Sequence, residues 1–464
     1  MIFIQRGILK PRNTMPLIGI SACRIFNQTP IHCIPIRNSR FKYPNINRIL
    51  RTNLCRILSI FCFVCAATIL PGYRAISAEI AFRGLNQTSP EAVGLISSQL
   101  KRIDTAVAEA IKAEEIPGAV VLVARHGQIA YFEAFGNRAI QPSVEPMTRD
   151  TIFDVASLTK VVATAPSIML LVEKGGLRLE DKVQRYLPKF TGGGKSNITV
   201  RQLLTHHSGL PPDFDLSRKW FGYPAALEEL WKVKTDFEPG KDFSYSDIGF
   251  IALGEIVHVV SGKTLDAYAK ERIFLPLGLS DTCFNPPAEL IKRIAPTESR
   301  RNTLKYLKGQ ASKEGSLDEI LRGEVHDPTT WRMGGVAGHA GLFSSANDLA
   351  VYAQMLLNRG AYRKKQLLSP LTVQAMTRSQ SPDDSSQIRG YGWDLDSSYS
   401  SPKGDIFKGG FGHTGFTGAS IWIHPPTDTV IIILSNRVHP NGGKDINHLR
   451  AAVANIVASA ISDP

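Results

Sequence analysis

Apolar positions recur at two periods along this chain, and the switch between them divides it. From Ser97 a helical repeat puts Leu100, Ile103, Val107 and Ile111 on one face. The stretch GAVVLVARHGQIAYFEAFG (118–136) then predicts two strands joined at His126-Gly127. From Ser157 to about Phe284 helical patterns dominate, whereas Ile291 to Asp327 is charged and weakly patterned and predicts a surface insertion. Strand patterns return at Gly392–Leu395, Asp405–Lys408, Gly418–His424 and Val430–Ser435, before a last helix from about Asp445 to Ile461. There is no internal repeat and no coiled-coil heptad. Strands at both ends around a helical middle predict an α/β fold: one antiparallel sheet built from the two ends and flanked by helices, plus an all-helical lobe.

Charge changes how the first segment is read. Eleven Lys and Arg residues precede Glu79 with no acid among them, so removing them takes the formal charge from +13 to +2. The basic character therefore belongs to a leader, and nucleic-acid binding by the remainder is not expected. Arg48, Arg51 and Arg56 precede the apolar run Ile57–Leu70, with small residues at Ala75, Ser77 and Ala78, the order of a secretory signal cut near Ala78. The run is shorter than the roughly 20 residues of a membrane span, so a cleaved signal is favoured over an uncleaved anchor. Residues 1–78 are assigned as leader and signal, with translation starting downstream of Met1, and residues 79–464 as one domain of two closely packed lobes, secreted or periplasmic and monomeric. Cys23, Cys33, Cys55, Cys62 and Cys65 lie in the leader, which leaves Cys283 alone. An intrachain disulfide and a thiolate metal cluster are thereby excluded from the mature domain.

The candidate chemistry lies in three short motifs. Ser157-Leu158-Thr159-Lys160 opens an apolar helical run, and residues three apart share a helix face, so the ammonium reaches the hydroxyl. A helix N-terminus there also favours the charge that develops when Ser157 attacks a carbonyl. Tyr245-Ser246-Asp247 precedes another apolar helix, and His413-Thr414-Gly415 opens a strand. Together these resemble the penicillin-binding protein and serine β-lactamase family, in its class C β-lactamase, D-alanyl-D-alanine carboxypeptidase and esterase branch. LLTHHSGLP (203–211), EPGKDFSYSD (238–247) and SSANDLAVYAQMLL (344–357) extend the likeness from about Leu95 to about Ile461. GGVAGHAGLFSS (334–345), preceded by GEVHD, looks most like the type 4B penicillin-binding proteins.

The resemblance implies an α/β sandwich with the groove between lobes, and a role for each motif. Ser157 forms an acyl-enzyme. Lys160, with a pKa depressed by burial, and Tyr245 are the candidates to take its proton. Backbone N–H groups of Ser157 and Phe416 hold the oxyanion, typically worth ~3 kcal/mol each. Thr414 and Gly415 line the substrate strand. Asp247 stands where the family usually has Asn and, ionised, can only accept, which weakens the case for efficient β-lactam hydrolysis. His413 replaces the commoner Lys, and as a neutral imidazole still offers one donor to a substrate carboxylate.

Other polar residues are given structural roles. His206-His207 reads as local backbone capping, because no metal spacing surrounds it, and neither metal nor cofactor is expected. His326-Asp327 and His339 flank the Gly-rich loop, which serves equally as a ligand approach or as tight turns. Ser345 with Asp348 reads as a helix cap, Trp331, Tyr391 and Trp393 as core, and Lys174, Arg178 and Lys182 as a solvated face. The expected function is an exported serine hydrolase acting on D-alanyl peptides of peptidoglycan. Alternatives are a β-lactamase-like esterase or weak β-lactamase, and a non-catalytic peptidoglycan-binding or sensor protein.

Overall fold

A strand that is apolar at all but its last position needs cover on both faces, and Gly118–Arg125 (β1) is buried throughout. It turns at His126-Gly127 into Gln128–Ala139 (β2). Phe411–Thr414 (β3), Ser420–His424 (β4) and Thr429–Ser435 (β5) complete the centre from the other end of the chain, in the order β2-β1-β5-β4-β3 with every neighbour antiparallel. Ile388–Arg389 and Asp394–Asp396 extend the β3 edge, while Asn86–Gln87 and Glu145–Pro146 pair with β2. The computed structural model describes residues 84–303, 319–383, 385–397 and 402–463. The expected leader, signal and leader cysteines lie outside the described residues.

Alternation along β1 feeds two cores. Ala119, Val121 and Val123 meet Ile103 and Val107 of Arg102–Lys112 (α1) and Leu449 and Val453 of Asn447–Ala460 (α5). Val120, Leu122 and Ala124 face a larger core that includes Ile168 of Ala165–Glu173 (α2), Phe250 of Asp247–Ser261 (α3) and Leu349 of Ala346–Leu357 (α4). The expected helical region begins at Ala156 and its last helix ends at Leu277. Cys283–Phe284 then pairs with Leu342–Ser345, which pairs in turn with Ile152–Asp154. This small second sheet ties both ends of the helical lobe to the strand that delivers the nucleophile.

Three expectations change. Asp405–Lys408 is a turn between Gly404 (φ +64°) and Gly409 (φ +83°), with Phe407 plugged into the α1/α5 core, so one buried aromatic mimicked a strand pattern. The 291–327 segment is not simply surface: Ile294, Ala295, Leu321 and Val325 are buried, and residues 304–318 lie outside the described set. The helix at Ser97 breaks after Leu100 and resumes at Arg102. Ser345 caps α4 through its hydroxyl, which accepts from the Asp348 N–H, and Tyr391 and Trp393 are buried, as read from the sequence.

The Gly-rich loop packs backbone to backbone on α3. A Cβ built on Gly338 would stand 1.8 Å from the Phe250 carbonyl oxygen. Gly338→Ala should therefore destabilise the fold by about 1–3 kcal/mol, read from the urea midpoint; an unchanged midpoint would show that the loop can lift away.

Candidate active site

Ile152–Asp154 runs straight into the nucleophile turn. There Ala156 adopts φ +46°, a left-handed conformation that costs a non-glycine residue energy and is stored where the surroundings hold it. The fully buried Asp154 does the holding. Its Oδ1 accepts from the Ala156 N–H at 2.9 Å, its Oδ2 from the His326 N–H at 2.8 Å, and its carbonyl from Thr417 Oγ1 at 2.6 Å. The helix that follows starts as a 3₁₀ turn over Ala156–Leu158, passes through a π turn over Lys160–Thr164 and becomes α2. Residues three apart eclipse in a 3₁₀ turn, and Lys160 Nζ donates to Ser157 Oγ at 3.0 Å.

Three acceptors surround the three protons of that ammonium. Besides Ser157, Lys160 donates to the His339 carbonyl at 3.1 Å and lies 2.7 Å from Asp247 Oδ1. The Asp247 contact is an ion pair by distance but is not aligned as a hydrogen bond. Nζ also stands 4.9 Å from the centre of the Tyr245 ring. Burial alone would push the lysine pKa down, but the charge of Asp247, reinforced by Tyr245, overrides it and leaves the group above its ordinary value. The expected depressed lysine is thus corrected: with aspartate in the second motif, Lys160 rests as an ammonium.

The second motif sits on a capped helix start. Ser246 Oγ accepts from the Gly249 N–H and donates to the Pro211 carbonyl, and Asp247 begins α3 with its side chain partly exposed. The third motif runs along the β3 edge. A Cβ on Gly415 would stand 2.4 Å from the Val155 carbonyl oxygen, so only glycine lets this strand pass the nucleophile turn. Thr414 is partly exposed beside it. Phe416 is half exposed, stacked on His326 with ring centres 5.5 Å apart, and the Arg437 guanidinium lies 4.7 Å over its ring.

His413 departs from its expected role. Its Nδ1 lies 2.7 Å from the Thr414 carbonyl, which can only accept, so the proton of a neutral ring is assigned to Nδ1. Burial, then Arg389 and Lys160, push its pKa well below the ordinary histidine value. The single donor is spent, and Nε2, buried without a partner, is an acceptor. A neutral His413 in this state cannot donate to a substrate carboxylate.

The structure adds residues that motif reading had placed elsewhere. His206 stacks on Tyr245 with ring centres 4.3 Å apart. His339, which supplies a carbonyl to Lys160, pairs through Nε2 with Asp327 at 2.9 Å. Burial works against ionising that pair, yet each partner holds the other charged: His339 rises above its ordinary value and Asp327 falls below the carboxylate range. Asp213 is pushed up to about 7 by burial and by Asp327 and Asp247. The sequence signals were the doubled histidine of LLTHHSGLP and the GEVHD–GGVAGHAG pair. Among the described residues, no three His, Cys, Asp or Glu side chains gather to hold a metal ion.

The β-lactamase family model matches residues 103–455. A protein named "Putative D-alanyl-D-alanine carboxypeptidase" in Salmonella schwarzengrund (strain CVM19633) is 33% identical over 405 residues, covering 81% of this chain and 91% of that relative. Among solved structures, a class C β-lactamase superposes with a TM-score of 0.62 at 20% identity, covering 79% of this chain and 98% of the other. A penicillin-binding protein homologue from Caulobacter crescentus gives 0.61 at 20% identity, covering 79% and 99%.

The Asp247 charge favours the protonated Lys160 and repels negative charge on its neighbours, so its loss should ease proton release from the site. In Asp247→Asn the ascending limb of kcat/KM against pH, measured with a small acyl ester, should move to lower pH by about 1 or more. A limb that stays in place would separate Asp247 from the proton balance of the nucleophile.

Proposed function

The chain belongs to the β-lactamase family of serine hydrolases, and from that premise we propose that it is an exported D-alanyl-D-alanine carboxypeptidase acting on peptidoglycan peptides. The observation that carries the chemistry is the buried Lys160 ammonium 3.0 Å from Ser157 Oγ, with Tyr245 alongside. The likeness to the Salmonella relative across most of its length supports the substrate. The signal-like order of Arg48, Arg51, Arg56 and the run Ile57–Leu70 supports export.

Ser157 Oγ attacks the carbonyl carbon between the two D-alanines. A resting ammonium cannot take the serine proton, which leaves Tyr245, acting as the phenolate with the positive charge of Lys160 beside it, to accept that proton and become the phenol. The C–N bond breaks as the proton passes to the leaving amine, free D-alanine departs, and water then hydrolyses the Ser157 ester by the same proton route in reverse. The oxyanion is assigned to the N–H groups of Ser157 and Phe416.

A second reading, an esterase for small acyl esters, is favoured by one observation. Neutral His413 gives its only N–H to the Thr414 carbonyl, so the third motif lacks the histidine donor expected for a substrate carboxylate and keeps only the Thr414 hydroxyl. An ester without a carboxylate does not need that donor.

A fluorescent penicillin should label the wild-type protein and not Ser157→Ala, and purified protein should release D-alanine from a D-alanyl-D-alanine peptide. Labelling by a fluorophosphonate alone, with no D-alanine release, would select the esterase; labelling by neither would remove both readings. Ser157→Ala and Lys160→Ala should each abolish nearly all turnover, with the double variant little worse than either. Losses that multiply would break the paired assignment.

A further inference from the structure

His206 ends a helical turn in a conformation that side chains seldom adopt. Val200–Leu204 is a short helix whose start is closed by a Thr199/Gln202 capping box. Two residues beyond its end His206 takes φ +60°, a left-handed stop usually filled by glycine or asparagine. An imidazole there is fully buried. Its contacts converge on one neighbour from three sides. The Ser244 N–H donates to the His206 carbonyl at 3.0 Å, and the Ser246 N–H donates to His206 Nδ1 at 3.0 Å. Between these anchor points, the ring lies against Tyr245 with centres 4.3 Å apart and planes 27° apart. Its ring centre also lies 5.1 Å from that of Phe250, which stands 5.7 Å from Lys160 Nζ.

We propose that His206 is a positioning residue for Tyr245: its carbonyl and Nδ1 fix the backbone on either side of the tyrosine, and its ring fixes the plane of the phenol facing Lys160. This rests on the assignment of Tyr245 as proton acceptor. Accepting at Nδ1 places the proton on Nε2, and burial, with Arg389, Lys160, His413 and His207 nearby, keeps the ring from gaining a second one. The Nδ1 acceptor therefore persists at working pH. Small errors in the placement of a proton-transfer group cost rate far more than affinity.

The test is a double-mutant cycle on the acylation rate, followed by pre-steady-state release of p-nitrophenol from p-nitrophenyl acetate. This donor reports attack by Ser157 whether the natural substrate is a peptide or an ester, so failure of the peptidase reading leaves the cycle interpretable. His206→Ala should lower the acylation rate about tenfold or more, with KM within about threefold. In a Tyr245→Phe background the same change should cost less than about twofold, because the group it positions has gone. A packing residue would instead multiply its loss onto Tyr245→Phe, and that outcome, or a wild-type rate in His206→Ala, overturns the proposal. Should the alanine variant fail to fold, His206→Phe takes its place in the cycle, since it keeps an aromatic ring against Tyr245 and removes both ring nitrogens, the Nδ1 acceptor among them. If Tyr245→Phe itself acylates at the wild-type rate, the premise falls rather than the clamp, and the two failures are told apart by that single variant.

Discussion

Everything around the nucleophile is arranged about a buried ammonium. Lys160 has no exposure to solvent, and a charge removed from water persists only if acceptors and a counter-charge replace the lost hydration. Each replacement comes from a different part of the fold: Ser157 from the same helix, the His339 carbonyl from the Gly-rich loop and Asp247 from the start of α3. None of the three elements can shift without leaving the charge short of a partner. Proton distribution at the site follows from this, and so does the close glycine packing of Gly338 on the Phe250 carbonyl that brings His339 within reach.

The sheet gives the site its rigidity. The turn that leaves β3 passes the nucleophile turn at a distance that admits no Cβ on Gly415, and Thr417 within it bonds the Asp154 carbonyl. The left-handed Ala156 is thus held from both sides, by the carboxylate of Asp154 and by the turn that leaves β3. Where Asp247 and His413 differ from the commoner Asn and Lys, the consequence is local: a side chain that would donate is replaced by one that accepts.

Much of this was legible in the chain. The two-sided burial of β1 follows from its apolar run, and three short motifs, through the family resemblance they carry together, pointed to Ser157, Lys160, Tyr245 and His413 as one candidate site. What could not be read was whatever depends on contacts between distant segments. The lysine pKa was inferred from burial alone and took the wrong direction, because the sequence does not show that Asp247 lies 2.7 Å away. The tautomer of His413 is set by the carbonyl of its own neighbour, a matter of backbone direction rather than residue type. His206 looked like a loop cap because its partners, Ser244 to Ser246, lie some 40 residues on. Asp405–Lys408 failed for the opposite reason: its alternation was real, but a single buried Phe407 produced it.

The register of β1 with β5 has a consequence in time. Val121 pairs with Ile433, so a strand buried on both faces is synthesised roughly 300 residues before the partner that covers one of its edges. Contacts of such long range form slowly, and until they do a bare edge invites pairing with other chains. The hairpin with β2 shields the other edge early. A chain whose synthesis stops short of β5 would carry a complete Ser157–Lys160 helix and a complete second motif beside an open, sticky edge. For such a product, aggregation rather than partial activity is the natural fate.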